Sequence, residues 1–534
     1  MIKNIINFIF YNNYFEKKLE NAYKILEKNN QVEEIYKIKE SLQNVNYNEK
    51  VIDNDFQDYN LDINLALNQF IYSKFINTPF FTSKLIFSIA YNEKFYFPVP
   101  LKFLDIINKT VKVSFLKSKI LFYLTIIIFF IYQFFSIIRN VLYFFRSKKN
   151  IENKIFLNSI PNLYSDTTND SKNFDFYKWV ISYFKLDSKI GFFHCNKFIN
   201  DKNVKFNQTI YETHFIQNPL IPFFKIENFK FFIKSLIKTL SLSLKIIFFS
   251  KIELLFLTRE IFFFNYLKKL PNNLFYNYCL FNNSNMVFRP FWTYVNEKKN
   301  NDSVVLYFYS TNMMPLLQEI NQKKYYEVYG YSLHSWPAYI TWNKEQTNWL
   351  SKNINFKSKF YKESIVPFSG KYLQLKKEKR TITIFDVPPK KSMIYNLLNN
   401  PYNIYTVNYC EKFLKDIINS IPENFFSKVD IIIKLKKDYS NIDPSYRVLI
   451  NDITNKKKVK IIKDISPESV IDISDATISI PFTSTAITSL NKNKNTIYFD
   501  PSGKLTKKNC LEKNINLISS KNDLEKWFLE VLNK

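Results

Sequence analysis

The chain has 534 residues, a formal net charge of +28, and 46% hydrophobic and 18% aromatic residues. Such an apolar chain can bury large cores, which excludes disorder throughout, and its length allows about two to four domains. Part of the charge follows from a composition rich in Lys, Asn, Ile, Phe and Tyr, as AT-rich coding sequences produce. The lysines do not cluster with an RNA- or DNA-binding motif, so we expect no nucleic-acid partner.

The N-terminal third, residues 1–185, is predicted to be a helical extension that associates with a membrane. Its most apolar stretch, residues 120–138, has basic residues on both sides and, as a helix, would span roughly 28 Å, which is marginal for a bilayer core. Residues 231–264 interleave lysines with Leu, Ile and Phe, a pattern typical of helices on anionic membrane surfaces. The alternative is that both are buried helices of a large protein rich in apolar residues.

The cellular location follows from the cysteines and the N-terminus. Four scattered cysteines form neither a disulfide framework nor a CxxC pair, which fits a reducing compartment without structural zinc. The first apolar run is too short and too interrupted for a secretory signal. We therefore expect a cytoplasmic protein, peripheral or anchored at the inner face of the cell membrane.

From residue 186 onward strands alternate with helices, and residues 186–370 are predicted to form an α/β domain. Residues 189–195, 303–310 and 325–332 are β-rich runs, and residues 341–350 follow as a helix. A hinge is expected at residues 366–370, which contain one of only four glycines in the chain.

The C-terminal region, residues 371–534, gives the clearest pattern. Short connections join strands predicted at 381–387, 429–436, 459–463, 476–480 and 496–500. Helices are predicted at 408–421, 484–490 and 522–532, and Ser466 and Pro467 start another as cap and first residue. Strands that alternate with helices in this way form a parallel sheet with right-handed crossovers, so we predict a nucleotide-binding type of α/β domain.

Open parallel sheets bind ligands beyond the carboxyl ends of their strands. At that edge Thr483, Ser484 and Thr485 start a helix, where hydroxyls and free N–H groups suit a phosphate or diphosphate. The alternative is that Thr483 or Ser484 only caps the helix. Lys434 and Lys436, at the end of a predicted neighbouring strand, would supply counter-charge.

Further residues complete the predicted donor pocket. They are Pro481 and Phe482 before the hydroxyl trio, and Asp500, Ser502 and Gly503 in the turn after the next strand. Gly503 permits close approach of a ligand to the backbone. The sequence has neither a Walker loop nor a GxGxxG fingerprint, and it shows no convincing metal constellation, so we expect no cofactor and no metal.

The stretch from Ile473 to Ala486, with Pro481-Phe482-Thr483-Ser484 inside it, and the stretch from Ile497 to Lys504 resemble the polysaccharide biosynthesis PFTS motif family. They are similar, more distantly, to bacterial surface-carbohydrate transferases of the GT-B type. The resemblance covers roughly residues 325–505. It implies two Rossmann-like domains, here with an N-terminal helical extension, and a Ser/Thr turn that faces the phosphates of an activated sugar donor.

The function implied is transfer of a sugar from a nucleotide-activated donor to a glycan or lipid-linked acceptor during surface or capsular polysaccharide biosynthesis, without a metal. Two alternatives stay open: a polyol-phosphate transferase with a CDP-activated donor, and a non-catalytic assembly factor at the membrane. His334, which follows a predicted strand, is the candidate general base because an imidazole titrates near the working pH. The alternative is a packed histidine beside Trp336.

Overall fold

The structure is a computed structural model of the whole chain, and it describes most of its residues. The described residues are 13–45, 54–145, 153–158, 175–186, 190–195, 211–216, 218–283, 287–310, 318–319, 327, 329–367, 373–387, 389, 406–435, 442–456, 459–463, 465–481, 483–506 and 514–533.

The first domain is built on a seven-stranded parallel sheet with the order β3-β2-β1-β4-β5-β7-β8. Its strands are β1 Asn153–Asn158, β2 Ile190–Cys195, β3 Tyr211–Ile216, β4 Tyr278–Asn282, β5 Val304–Tyr307, β7 Ala338–Thr341 and β8 Phe360–Glu363. Its inner strands are apolar on both sides, as expected for a parallel sheet covered by helices on both faces.

The second domain is built on a six-stranded parallel sheet with the order β11-β10-β9-β12-β13-β15. Its strands are β9 Arg380–Phe385, β10 Val429–Lys434, β11 Lys460–Ile462, β12 Ala476–Ser479, β13 Asn495–Phe499 and β15 Asn516–Ile518. A separate two-stranded antiparallel pair joins β6 Gln318–Glu319 to β14 Leu505–Thr506.

The helices divide between the two domains. In the first domain they are α1 Asn13–Lys28, α2 Val32–Gln43, α3 Ile63–Ile71, α4 Pro79–Ala90, α5 Leu101–Asn108, α6 Phe115–Arg139, α7 Val141–Phe144, α8 Asp175–Tyr183, α9 Phe229–Phe248, α10 Thr258–Leu267, α11 Phe291–Lys299 and α12 Lys344–Asn353. In the second they are α13 Val407–Asn419, α14 Pro444–Lys456, α15 Pro467–Ile473, α16 Ser484–Asn491 and α17 Lys521–Asn533.

The first sheet lies between two hydrophobic cores, because successive side chains of a strand point to opposite faces. Ile155 and Leu157 pack in a core that α8 covers, whereas Phe156 points into the large core formed by the N-terminal helices and α9 to α11. The N-terminal helices are therefore part of the first domain. The boundary predicted at residue 186 falls inside the sheet, since β1 precedes it in the chain and is an inner strand of this sheet.

The elements predicted in the second domain are confirmed to within a few residues, and Ser466 caps α15 by accepting a hydrogen bond from the Glu468 N–H. The β-rich run predicted at 325–332 is wrong in its described part. There the chain makes a loop and a 3-10 turn, Tyr331–Leu333. The buried carboxylate of Glu327 accepts the N–H groups of Tyr329, Gly330 and Tyr331, so these donors bind a side chain instead of a neighbouring strand.

Candidate functional site

The strand order defines a crevice at the carboxyl edge of the second sheet. From β9 the chain fills one side with β10 and β11, then returns to place β12 and β13 on the other side. β9 and β12 are therefore neighbours whose following loops diverge, which is where open α/β sheets bind ligands. Thr483 ends the loop after β12, and Ser484 and Thr485 are the first residues of α16, so the structure places the predicted hydroxyl trio at this point.

The hydroxyls of this turn form a connected chain. Thr485 Oγ1 lies 3.1 Å from Ser479 Oγ and donates to Thr483 Oγ1 over 3.3 Å. Thr483 Oγ1 in turn donates to the Ile480 carbonyl over 2.7 Å. Ser484 and Thr483 are mostly buried, with 5% and 8% of their surface exposed, and Thr485 is half-buried. Thr485 is thus the most accessible hydroxyl of the trio.

Helix α16 begins without the usual side-chain cap. Thr483 is its cap residue, with an extended backbone, but its hydroxyl makes no hydrogen bond to the first helical turn. An α-helix has free N–H groups and a partial positive charge at its N-terminus. Because the Thr483 hydroxyl is directed elsewhere, the first turn of α16 lacks an acceptor from its cap residue. Capping, the alternative role of Thr483, is not what the structure shows.

The turn lies where the two domains meet. Ala486 and Ile487 of α16 are buried in the large core of the first domain, whereas Ile480, just before the turn, belongs to the core of the second. The pair β6–β14 joins the loop that leaves the carboxyl end of β5 to the loop that leaves the carboxyl end of β13. The carboxyl edges of the two sheets therefore face each other.

Of the two predicted counter-charges, the structure describes only Lys434, the last residue of β10. Lys434 is 5% exposed, and its ammonium donates to the Leu435 carbonyl over 2.7 Å. Its strand, β10, is separated from β12 by β9 and so is not the immediate neighbour that the sequence suggested. Lys436 lies outside the described residues. The roles of both lysines in phosphate binding stay predictions.

The Asp500 turn is held by its own hydrogen bonds. Asp500 is fully buried and accepts from the Tyr409 hydroxyl, from the N–H and hydroxyl of Ser502 and from the Leu505 N–H. Gly503 is exposed and has a φ of +66°, in the left-handed region that favours glycine. This network makes Asp500 the organiser of the turn that leads into β14. Pro481 is buried, and Phe482 lies outside the described residues.

The model of one protein family, described as polysaccharide biosynthesis PFTS motif protein, matches residues 242–528, which is more than half of the chain. The chain belongs to this family. Its named tetrapeptide is Pro481 to Ser484, so the PFTS motif is the turn between β12 and α16. No curated protein matches the sequence.

Several solved structures are similar to this chain. The wall teichoic acid polymerase TagF is 10% identical, with 76% of this chain and 91% of that chain covered and a TM-score of 0.38. An α,α-trehalose 6-phosphate synthase from Burkholderia multivorans is 8% identical, with 72% and 90% covered and a TM-score of 0.39. S. aureus TarM, in complex with UDP among other ligands, is 10% identical, with 52% of each chain covered and a TM-score of 0.28.

The fold class is assigned from the strand order of this chain. In each sheet the first strand in the chain is an inner strand, and later strands are added outward on both sides of it, which is the doubly wound Rossmann order. Two such domains with facing carboxyl edges form a GT-B-type architecture, so the predicted fold class is confirmed. The helices that precede the first sheet are present, but they belong to its core.

His334 lies apart from the PFTS motif in sequence and is deeply buried. Only 3% of its surface is exposed, and it packs between Tyr331 and Tyr339, whose hydroxyl lies 3.5 Å from Nδ1. Burial lowers the pKa of His334 to about 3, which keeps the imidazole neutral and makes it a weak base. This environment disfavours general base catalysis, and the catalytic role of His334 stays a prediction.

Asp386, which the sequence analysis did not single out, lies at the crevice that holds the PFTS motif. It directly follows the central strand β9, is 2% exposed, and accepts a hydrogen bond from the Tyr446 hydroxyl on Oδ1. Oδ2 is buried and has no hydrogen-bond partner among the described residues. Burial raises the pKa of Asp386 to about 7, although the bonds from Tyr446 and the Val387 N–H oppose the shift.

A metal site was not expected, and the described part of the chain contains no group of three or more His, Cys, Asp or Glu side chains that could hold a metal ion. Independence from a metal stays a prediction.

Proposed function

We propose that this PFTS protein is a glycosyltransferase that moves a sugar from a nucleotide-activated donor to a glycan or lipid-linked acceptor in the biosynthesis of a surface polysaccharide. The observation that supports it is the position of the PFTS turn. Its hydroxyls and the start of α16, where the Thr483 side chain makes no cap hydrogen bond, lie at the switch point of a Rossmann-type sheet, at the boundary with a second such domain.

The proposed chemistry is stabilisation of an anionic leaving group. An oxygen of the acceptor bonds to the sugar carbon and releases its proton to water while the bond between that carbon and the donor phosphate breaks, so negative charge grows on the phosphate oxygens. The N–H groups of the first turn of α16 and the Thr485 hydroxyl would donate to these oxygens, and the helix dipole favours the charge. A phosphate oxygen would compete with the Ile480 carbonyl for the hydrogen bond that the Thr483 hydroxyl donates. The hydroxyl chain from Thr485 to Thr483 would therefore reorient.

Asp386 adds a condition to this proposal. The carboxyl group lies at the end of β9, next to β12. When neutral, it can donate a hydrogen bond to a phosphate oxygen from Oδ2, which has no partner in the described part of the chain. An ionised carboxylate there would instead repel the donor. The proposed donor complex therefore has Asp386 protonated.

The experiment is a binding screen of UDP-, GDP-, CMP- and dTDP-linked sugars, followed by a transfer assay with the donor that binds. Thr485→Val removes one hydroxyl at nearly constant shape. Thr488→Val makes the same change one turn further along α16, where the hydroxyl bonds to the Ser484 carbonyl, and is the matched control. We expect one donor to bind, with a Kd about 10- to 100-fold weaker for Thr485→Val than for the control, as for a lost hydrogen bond to a charged group.

The outcomes separate the alternatives. Release of a nucleoside monophosphate together with incorporation of phosphate into the polymer would show that the protein transfers a polyol phosphate and not a sugar. If the folded wild-type chain binds none of these nucleotide sugars, the glycosyltransferase proposal is wrong; if it also binds no CDP-activated polyol, the assembly-factor alternative is favoured. Equal affinities of Thr485→Val and Thr488→Val would mean that the PFTS turn does not hold the phosphate.

A further inference from the structure

The exposed apolar surface of the protein is concentrated in two helical segments. Of the 27 large hydrophobic side chains that are exposed among the described residues, 22 lie in 115–145 and 226–249. These segments contain α6 with α7 and α9. Soluble proteins rarely expose such continuous apolar patches unless a membrane or another protein covers them.

Helix α6 is fastened along its length to the first domain. Buried side chains recur on one side from Ser118 to Ile137. Gln133 donates to the Leu255 carbonyl over 3.2 Å and accepts the Arg259 N–H over 2.9 Å. The segment 115–144 is long and apolar enough to cross a membrane, yet a crossing would draw these partners, with the charged and partly exposed Glu253 and Arg259, into the hydrocarbon.

The outer side of α6 is apolar and suited to contact with lipid. The sequence has no charged residue from 120 to 138, and Leu116, Ile128 and Phe135 are each about two-thirds or more exposed. The hydroxyl of Thr125 donates to the Leu121 carbonyl over 2.7 Å, so its donor is satisfied within the helix. Lys117, Lys119 and Arg139 are exposed near the two ends of α6.

Helix α9 has three distinct sides. Its buried side contains Phe232, Ser235, Thr239, Leu242, Ser243 and Ile246. Exposed apolar side chains, including those of Ile237, Leu244 and Phe248, form a second side. Lys230, Lys234, Lys238 and Lys245 are spaced so that, at about 3.6 residues per turn, they form a stripe along the third.

The two apolar surfaces are neighbours. Both helices pack on α10 and on the 3-10 segment Ile252–Leu257. At one end Phe144, which follows α6, contacts Phe229 and Phe232 at the start of α9, with ring centroids 5.2 and 5.3 Å apart. An apolar surface of this kind with a basic stripe along one border matches the interface of a bilayer that contains anionic lipids.

We propose that the outer faces of α6 and α9 form a membrane-docking surface that lies in the plane of an anionic lipid bilayer, and that α6 does not cross it. The apolar side chains enter the boundary between headgroups and acyl chains, and the lysine stripe contacts the anionic headgroups. This proposal is independent of the donor site, because vesicle binding requires no donor.

The first test is flotation of the purified full chain with vesicles of phosphatidylcholine, with and without phosphatidylglycerol. We expect strong flotation only with the anionic lipid. Ile128→Glu combined with Phe135→Glu should reduce the partition coefficient at least tenfold. Lys234→Glu with Lys245→Glu should abolish the preference for anionic vesicles, since each lysine near such a surface is worth on the order of fivefold.

The matched controls place the same changes elsewhere. Val448→Glu with Leu529→Glu alters exposed apolar residues of the second domain, and Lys526→Glu alters an exposed lysine there. These variants should float like wild type, and the melting temperature of each variant shows that it is folded. Wild type that stays with the soluble fraction, or that forms a dimer through these helices instead, would overturn the proposal, as would flotation of Ile128→Glu/Phe135→Glu at wild-type levels.

The second test separates docking from crossing. Lys117→Cys and Phe145→Cys place a thiol at each end of the α6–α7 segment, and an impermeant maleimide is added to sealed membrane vesicles whose cytoplasmic face is outward. Docking in the plane leaves both thiols accessible from that face, above the background of the wild-type chain. Labelling of only one of the two would show that the segment crosses the bilayer and would overturn the proposal.

Discussion

Asp386 makes the stability of the protein depend on pH in a predictable direction. Burial raises its pKa to about 7 in the folded chain, whereas an unperturbed aspartate has a value near 3.8. Between these values the folded state holds a proton that the unfolded state has lost. The stabilisation is complete below about pH 4, decreases as the pH rises, and is lost above about pH 7.

The size of the effect follows from the shift in pKa. About three pKa units at about 1.4 kcal/mol each correspond to roughly 4 kcal/mol. In Asp386→Asn the side chain cannot ionise. The free energy of unfolding of the wild type relative to this variant should therefore fall by roughly 4 kcal/mol between pH 4 and pH 8, and the wild type should lose several degrees of melting temperature against the variant.

The assay is denaturation of both proteins at several pH values, where all other groups titrate alike and cancel in the difference. Asp475→Asn is a matched control. Burial acts to raise the pKa of Asp475, but the Lys377 ammonium and the Thr381 N–H outweigh it and hold the value below its usual range. The difference between wild type and this control should stay flat from pH 5 to pH 8. If Asp386→Asn also gives a flat difference, the carboxyl group is not buried as described and its assigned role at the crevice is lost.

Three further predictions follow from particular contacts. Gly330→Ala should destabilise the fold by about 2 kcal/mol or more in a thermal melt, because φ is +90° and a Cβ would lie 2.9 Å from Tyr72 and Val287; Gly503→Ala, at φ +66° with nothing within 4 Å, should cost only about 1 kcal/mol. Arg289→Lys should cost about 3 kcal/mol or more in denaturant unfolding, because the fully buried guanidinium pairs with Glu297 and bonds to the Ser335 carbonyl. If the donor binds as proposed, its affinity in titration calorimetry should weaken above pH 7 for wild type and stay constant for Asp386→Asn, and equal pH profiles would argue against contact between Asp386 and the phosphate.

The sequence predicts the secondary structure of the second domain better than that of the first. In the second, short apolar strands such as β9 alternate with helices that have recognisable caps, so the local pattern is enough to locate the elements. In the first, the sequence does not reveal β1 and β4, because Phe, Ile and Tyr are so frequent in this chain that a buried strand hardly differs from a buried helix. For the same reason the sequence predicts a separate N-terminal extension: the apolar faces of these helices do not reveal which core they enter.

In the candidate site, too, the sequence predicts the positions of some residues and not of others. The position of Thr483, Ser484 and Thr485 at a strand-to-helix turn was predictable from pattern. Lys434 was expected to face a ligand, but its strand is buried on both sides and its ammonium bonds to the backbone. The sequence contains one signal for Asp386: a carboxylate near the end of the apolar strand predicted at 381–387, shortly before two prolines.

What the sequence alone determined is local: strand and helix positions in the second domain, the hydroxyl turn at the start of α16, and the apolar and basic pattern of α6 and α9. Strand order, the facing of the two carboxyl edges, and the burial of His334 and Asp386 depend on contacts between residues far apart in the chain. Only the tertiary structure decides these, because periodicity reports which face of an element is apolar and not which partner covers it.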